Sequence, residues 1–379
     1  MTWNMVAIGD VATIERNSVQ PHDIKSGEKY VGLENIKTGG EFLNVGCVSN
    51  GDLASSKFAF TNNHVLFGKL RPYLAKIALP DFDGICSTDI LPILPSSKLD
   101  ASYLRHVLLQ QKMVDKVNAL ATGANLPRIS PKALCELKIP LPTLEEQKRI
   151  AAILDKAAEI KAKREKVIAA LDELEQILFF NASTEAKEYG KLGELCDVRD
   201  GTHDSPKYVS DGYPLITSKN IFEGVIDKST ASLVSKEDYI EINKRSKVDH
   251  GDILMPMIGT IGNPAVVIDR DPQFAIKNVA LIKFKDTSTS NIYINAFLKS
   301  KLFHQYVTKN SRGGTQKFLG LGDIRKIEVP VLAVDVQNAL CKQILCISNL
   351  RDKAKKELVD LQHLMISLQH KAFTTGFNA

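Results

Sequence analysis

Apolar residues recur at steps of three and four along two long stretches of the chain. From Leu144 they fall at Ile150, Ile153, Leu154, Ala157, Ile160, Val167, Leu171, Leu174 and Leu178. From Val336 they fall at Leu340, Ile344, Ile347, Leu350, Ala354, Leu358, Leu361, Met365 and Leu368. That spacing puts them on one face of a helix. Neither stretch contains proline or glycine. Each follows a proline-bearing segment, and proline favours extended chain before it. Glu145 and Glu146 stand in the first turn, where the helix dipole favours negative charge. A helix of about 35 residues is about 50 Å long, well beyond the usual core helix of about three turns. A narrow apolar seam of that length calls for a partner helix. The other stretch is the obvious partner, so the pattern predicts two long helices paired as an antiparallel coiled coil. The alternative is that each helix packs on its own domain.

The rest of the chain is irregular. Short β-branched runs alternate with Gly, Pro, Asn and Asp, which reads as short strands and loops. Toward the end of each such region a helical stretch is expected, Tyr103 to Leu120 and Ile292 to Lys309. The regions also repeat one another. Leu137-Lys-Ile-Pro-Leu-Pro142 followed by Gln147 answers Ile327-Glu-Val-Pro-Val-Leu332 followed by Gln337. Ile8-Gly-Asp answers Leu192-Gly-Glu, and Tyr30 to Ile36 answers Tyr213 to Ile221. The strand through Val65-Leu66 answers Gly251-Asp-Ile-Leu254, and Thr122-Gly-Ala-Asn125 answers Arg312-Gly-Gly-Thr315. Landmarks in one order, about half a chain apart, indicate a duplication. The expected fold is therefore α+β, with two α+β domains in tandem (1–142 and 186–332) and two long helices (143–185 and 333–379).

Catalytic motifs are missing. There is no Gly-x-x-x-x-Gly-Lys-Ser/Thr phosphate loop, no Gly-x-Gly-x-x-Gly, no His-Glu-x-x-His and no Gly-x-Ser-x-Gly elbow. His203-Asp204-Ser205 reads as a turn, because adjacent residues rarely converge into a catalytic triad. Cys47, Cys86, Cys135, Cys196, Cys341 and Cys346 show neither Cys-x-x-Cys nor zinc spacing, so free thiols and no metal are expected. No apolar run reaches the roughly 20 residues of a membrane span, and the start lacks an export signal, so the expected location is the cytoplasm. The formal net charge of +5 permits a polyanionic partner without requiring one.

Three passages resemble the specificity-subunit family of bacterial type I restriction–modification systems. One is Leu66-Phe-Gly-Lys-Leu-Arg-Pro-Tyr-Leu-Ala-Lys76, similar to that family's Gly-Lys-x-Arg-Pro-Tyr segment. Another is Ile139-Pro-Leu-Pro-Thr-Leu-Glu-Glu-Gln-Lys-Arg-Ile150, similar to the opening of its first long helix. The third is the order itself: recognition domain, long helix, recognition domain, long helix. The second half departs from the pattern, with Pro256-Met-Ile-Gly-Thr-Ile-Gly262 in place of Gly-Lys-x-Arg-Pro-Tyr. The resemblance implies a non-catalytic subunit that binds double-stranded DNA, each domain reading half of a split target. It implies two modification subunits and restriction subunits as partners, no membrane, and no cofactor on this chain. S-adenosylmethionine, ATP and Mg are expected on the partner subunits only.

Lysine and arginine set affinity through phosphates, while arginine, asparagine and glutamine read base edges. The candidates are Lys37, Lys69, Arg71 and Asn125 in the first half. In the second half they are Lys219, Arg312, Thr315, Gln316 and Lys317. Two rivals remain at this stage: a scaffold that binds only protein, and a stand-alone DNA-modifying enzyme.

Overall fold

A computed structural model describes residues 3–49, 51–259, 261–284, 289–311 and 318–377. The chain divides into two compact units, Met1–Arg164 with Glu357–Ala379, and Glu165–Lys356.

In the first unit the opening strand Met5–Ala7 pairs antiparallel with Lys138–Pro140, so the domain closes where it began. A four-stranded antiparallel sheet follows in the order Ala12–Ile14, Ile90–Pro95, Val65–Gly68, Ile77–Ala78. Its central strand is nearly all apolar because both faces are covered. A five-stranded sheet runs Ser18–Val19, Lys57–Phe60, Gly84–Cys86, Lys29–Val31, Gly46–Cys47, with the pair Lys29–Val31 and Gly84–Cys86 parallel. The main core joins Val65, Leu91 and Ile93 of the four-stranded sheet to Tyr103, Leu104 and Val107.

The second unit repeats this plan. Glu188–Lys191 pairs with Glu328–Val331. The four-stranded sheet runs Asp197–Asp200, Val279–Lys283, Ile253–Pro256, Ala265–Val266. The other sheet, Tyr208–Val209, Ser232–Val234, Tyr213–Ile216, Ala275–Ile276, again contains one parallel pair.

The duplication extends to single hydrogen bonds. Tyr103 Oη donates to the Pro140 carbonyl at 2.8 Å, and Tyr293 Oη to that of Pro330 at 2.6 Å. Gln147 Oε1 accepts from the Asp100 amide at 2.9 Å, and Gln337 Oε1 from the Ser290 amide at 3.0 Å. Both glutamines are buried at the start of a long helix. Each amide thereby ties that helix to the domain before it.

The helical stretches expected at Tyr103 to Leu120 and Ile292 to Lys309 are each broken in two. They form Ala101–Leu108 and Gln111–Ala119, then Asn291–Lys299 and Lys301–Asn310. The reason is visible at Ser300, which is extended and caps the following helix by accepting from the Phe303 amide at 3.3 Å. Serine favours such caps over helix interiors.

The long helices span Leu144–Thr184 and Val334–Thr374, 41 residues each. Each contributes one segment to each unit. In the first unit Arg164 pairs with Glu357 at 2.6 Å, while Ile150 and Leu154 share a core with Leu368 and Ala372. In the second, Arg351 bonds Asp172 and Glu175, while Phe179 shares a core with Leu340 and Ile344. Within each unit the two segments therefore run antiparallel. Among the described residues, no helix is long and apolar enough to cross a membrane.

Candidate nucleic-acid interface

In the first domain the strand Val65–Gly68 leaves its sheet into the connection that holds Lys69 and Arg71. Arg71 and Ala75 adopt left-handed backbone, φ 50° and 46°, on either side of the short turn Pro72–Leu74. Backbone bonds then draw in a second loop. The Arg71 amide donates to the Pro127 carbonyl at 2.7 Å, and the Ile129 amide to that of Lys69 at 3.1 Å. Asn125 lies on that second loop. A third segment, around Lys37, joins from the other side, where the Gly39 amide donates to the Ala75 carbonyl at 3.2 Å. Gly40 must be glycine here: at φ 95°, an added Cβ would fall 2.0 Å from the Ile77 carbonyl oxygen. The segments carrying Lys37, Lys69, Arg71 and Asn125 thus meet around one connection.

Their side chains differ in readiness. Arg71 and Asn125 are exposed and make no side-chain hydrogen bond or ion pair among the described residues. Lys37 pairs with Glu41 at 2.9 Å. Lys69 lies 3.8 Å from Asp89. Asp89 is chiefly engaged by a residue that the sequence reading missed. Arg128 forks onto it with Nε at 3.0 Å and Nη2 at 3.2 Å. The hydrogen bonds from Arg128 lead the causes that hold the Asp89 carboxyl below its usual range; burial opposes them, and the charges of Arg128 and Lys69 assist. Arg128 had a signal in the sequence: it follows Pro127 directly at the edge of the loop already singled out.

Arginine in left-handed backbone costs on the order of 1–2 kcal/mol. Glycine removes that strain but adds up to about 1 kcal/mol of unfolded-chain freedom. Arg71→Gly is therefore expected to leave stability within about 1 kcal/mol and, on the sequence-based expectation that Arg71 meets DNA, to weaken duplex binding. Thermal melting and a titration with duplex DNA check the two halves. A variant that melts early would make Arg71 a structural residue instead.

In the second domain Lys219 is exposed in the turn Ser218–Asn220. Asn220 Oδ1 accepts from the Thr217 amide at 3.0 Å, as Asn35 Oδ1 accepts from Gly32 at 2.8 Å. By that equivalence Lys219 stands at the place of Glu34, not of Lys37. Arg312, Thr315, Gln316 and Lys317 lie outside the described residues. The chain just beyond them is anchored as in the first domain. Phe318 bridges to Ile258 as Arg128 bridges to Leu70, and the Leu319 amide donates to Met257 at 3.0 Å. The His203-Asp204-Ser205 run forms a turn closed by the Asp204 amide on Thr202 Oγ1 at 3.1 Å. Ser205 Oγ accepts from Lys277 Nζ at 2.8 Å, whereas His203 bonds Asp200 and Asn278. The serine and the histidine are thus committed to different partners.

Comparison with known proteins bears directly on this duplicated layout. The family model for the type I restriction modification DNA specificity domain matches twice, over residues 1–171 and 184–340. The EcoDI specificity subunit of Escherichia coli is 31% identical over 134 residues, 34% of this chain and 30% of that subunit. The MjaVIII specificity subunit of Methanocaldococcus jannaschii is 25% identical over 299 residues, 72% of this chain and 70% of that subunit. The EcoBI specificity subunit of E. coli is 24% identical, and the match spans 62% of its length. Two solved structures share the fold. One is a chain from a study of complex assembly and conformational transition in the type I system: TM-score 0.60, 19% identity, 99% of this chain and 98% of that one. The other is the type I S subunit of M. genitalium: TM-score 0.60, 18% identity, 98% of this chain and 96% of that one. A domain built twice on one plan, each copy matched by the same family model, places this chain in the type I restriction–modification DNA specificity family.

Proposed function

We propose that the chain supplies the DNA address of a type I restriction–modification assembly in the cytoplasm. Each domain reads one half of a split target on double-stranded DNA. The long helices set the spacing and seat two modification subunits. Restriction subunits join the same assembly. On this reading the chain performs no chemistry, and S-adenosylmethionine, ATP and Mg belong to the partner subunits.

The observation that carries the proposal is the sheet end built twice, with Leu70–Arg128 in one domain answered by Ile258–Phe318 in the other. Two similar readers on one chain suit a target of two unlike halves. The helices support the partner reading. Val167, Leu174, Ile177, Phe180, Leu350 and Ile366 are large apolar side chains left exposed along them. Such positions suit protein contacts more than DNA.

The test is co-purification with the modification subunit, followed by methylation mapping on genomic DNA. Adenine methylation at one split motif, lost when this chain is omitted, supports the proposal. No complex and no motif favour the scaffold, and methylation by the chain alone favours the enzyme.

A further inference from the structure

The second domain holds a polar cluster around Asp200, distinct from the candidate residues of that domain. Asp200 ends the strand Asp197–Asp200 with its side chain 6% exposed. Its carboxylate accepts from His203 Nε2 at 2.9 Å and from Nη2 of Arg245. His203 Nδ1 lies 2.8 Å from Oδ1 of Asn278. Acceptor oxygens on both ring nitrogens suit the doubly protonated imidazole. Accordingly His203 is raised above its ordinary range, first by Asn278 and then by Asp200, against the cost of burial and the charge of Arg245.

The site matches the first domain in position. Asn278 precedes the central strand Val279–Lys283, as Asp89 precedes Ile90–Pro95. The register agrees, with Val279 opposite Pro256 and Ile90 opposite Gly68. Asp89 grips Arg128 and Lys69; Asn278, in left-handed backbone at φ 53°, grips His203. The same corner therefore holds a cation-bearing side chain in both domains.

Residues 200–206 are fixed on that corner. The Thr202 amide donates to Ile276 at 3.0 Å, and Lys277 Nζ holds Ser205. One group on the loop is left over. The exposed Asp204 carboxylate makes no side-chain hydrogen bond or ion pair among the described residues. The charged groups around the loop are Asp200, Asp238, Glu241, Lys244, Arg245 and Lys277. Glu241 is paired with Lys244 at 2.6 Å. A free carboxylate is repelled by phosphates, but it accepts well from an exocyclic amino group, as cytosine N4 presents in the major groove.

We propose that residues 200–206 form a base-reading loop of the second domain, in which Asp204 accepts from a base amino group. His203 is a positioning residue that latches the loop through Asp200 and Asn278. The proposal rests on the DNA-reading function above.

The test uses the chain assembled with its modification subunits, with methylation motifs mapped for wild type, Asp204→Asn and His203→Gln. Asp204→Asn is expected to relax one base position in one half-site, cutting discrimination there by roughly 5- to 100-fold. His203→Gln relaxes the same position more weakly. In wild type, discrimination at that position falls as the pH rises from about 6 to about 9, as the imidazolium is lost. The glutamine variant is flat over that range. Unchanged motifs in both variants, or equal weakening on every DNA, overturn the loop while leaving the family function standing. A wild-type assembly with no motif at all overturns the function itself.

Discussion

Arg351→Ala is expected to destabilise the second unit by about 3–5 kcal/mol, the cost of breaking a buried ion pair from one side. The guanidinium reaches Asp172 at 2.8 Å and Glu175 at 2.7 Å from the facing helix. Glu175 decides the size of the effect, because its side chain is 4% exposed. Without Arg351 that carboxylate stays buried with a poor substitute. Lys299 stands nearby, but burial already holds its ammonium below the ordinary lysine range. Hydrogen exchange should show faster opening of amides across 165–184 and 334–356. The double change Arg351→Met with Glu175→Leu should recover most of the loss, since apolar replacements of a buried pair are often neutral. Equal instability of single and double variants would show that packing, not charge, sets the cost.

Asp155→Ala is expected to cost the first unit about 2–3 kcal/mol, somewhat less because the carboxylate is 45% exposed. Three donors converge on it: Ser102 Oγ at 2.7 Å, Arg105 Nη2 at 2.7 Å and His106 Nε2 at 2.8 Å. They bind the helix Ala101–Leu108 to the first long helix. Arg105 and His106 are themselves largely buried, so removing the acceptor strands both. The same cluster makes stability depend on pH. Burial, with help from the charge of Arg105, pushes the His106 imidazole below its ordinary range although Asp155 pulls the other way. A histidine that resists protonation when folded contributes fully above about pH 6.5, and its contribution is lost as the pH falls from there. Burial also opposes the Asp155 carboxylate, but the hydrogen bonds from His106 and Ser102 outweigh it and hold its pKa down. Its contribution therefore persists further into acid. Trp3 offers a clean readout. It is the one tryptophan of the chain, and its indole donates to the Ala372 carbonyl at 2.9 Å within the first unit. Urea titrations followed by its fluorescence should show stability declining below about pH 6.5, and His106→Gln should flatten that first limb.

Which parts of this were legible in the sequence follows from what each pattern reports. Spacing of three and four located both long helices, because a helix repeats every 3.6 residues regardless of its neighbours. It did not say what covers each apolar side chain. Leu154, Leu340 and Ile344 are buried, whereas Val167, Leu174 and Leu350, from the same periodic run, stay exposed. The duplication was legible because Pro140 and Pro330, and Gln147 and Gln337, fill the same structural positions. The breaks at Gln110 and Ser300 were not, since an apolar helical pattern continues through them in frame. At the candidate interface, residue type alone nominated Lys37, Lys69, Arg71 and Asn125, whose segments the fold brings around one connection. It gave no sign of the contacts made by Arg128, Asp89, Arg245 and Asn278. Their contacts join residues 39 or more positions apart, with separations set by folding rather than by any local spacing.

The first unit takes residues from both ends of the chain, whereas the second is one uninterrupted segment. Ala372 and Phe373 fill part of the first core, and Phe373 rests against Tyr103 at 5.6 Å. On the ribosome, domains ordinarily finish in the order in which they emerge. Here the later unit has all its residues while the earlier one still waits for 357–379. A nascent chain stalled short of that segment would carry a finished second unit and an open first one.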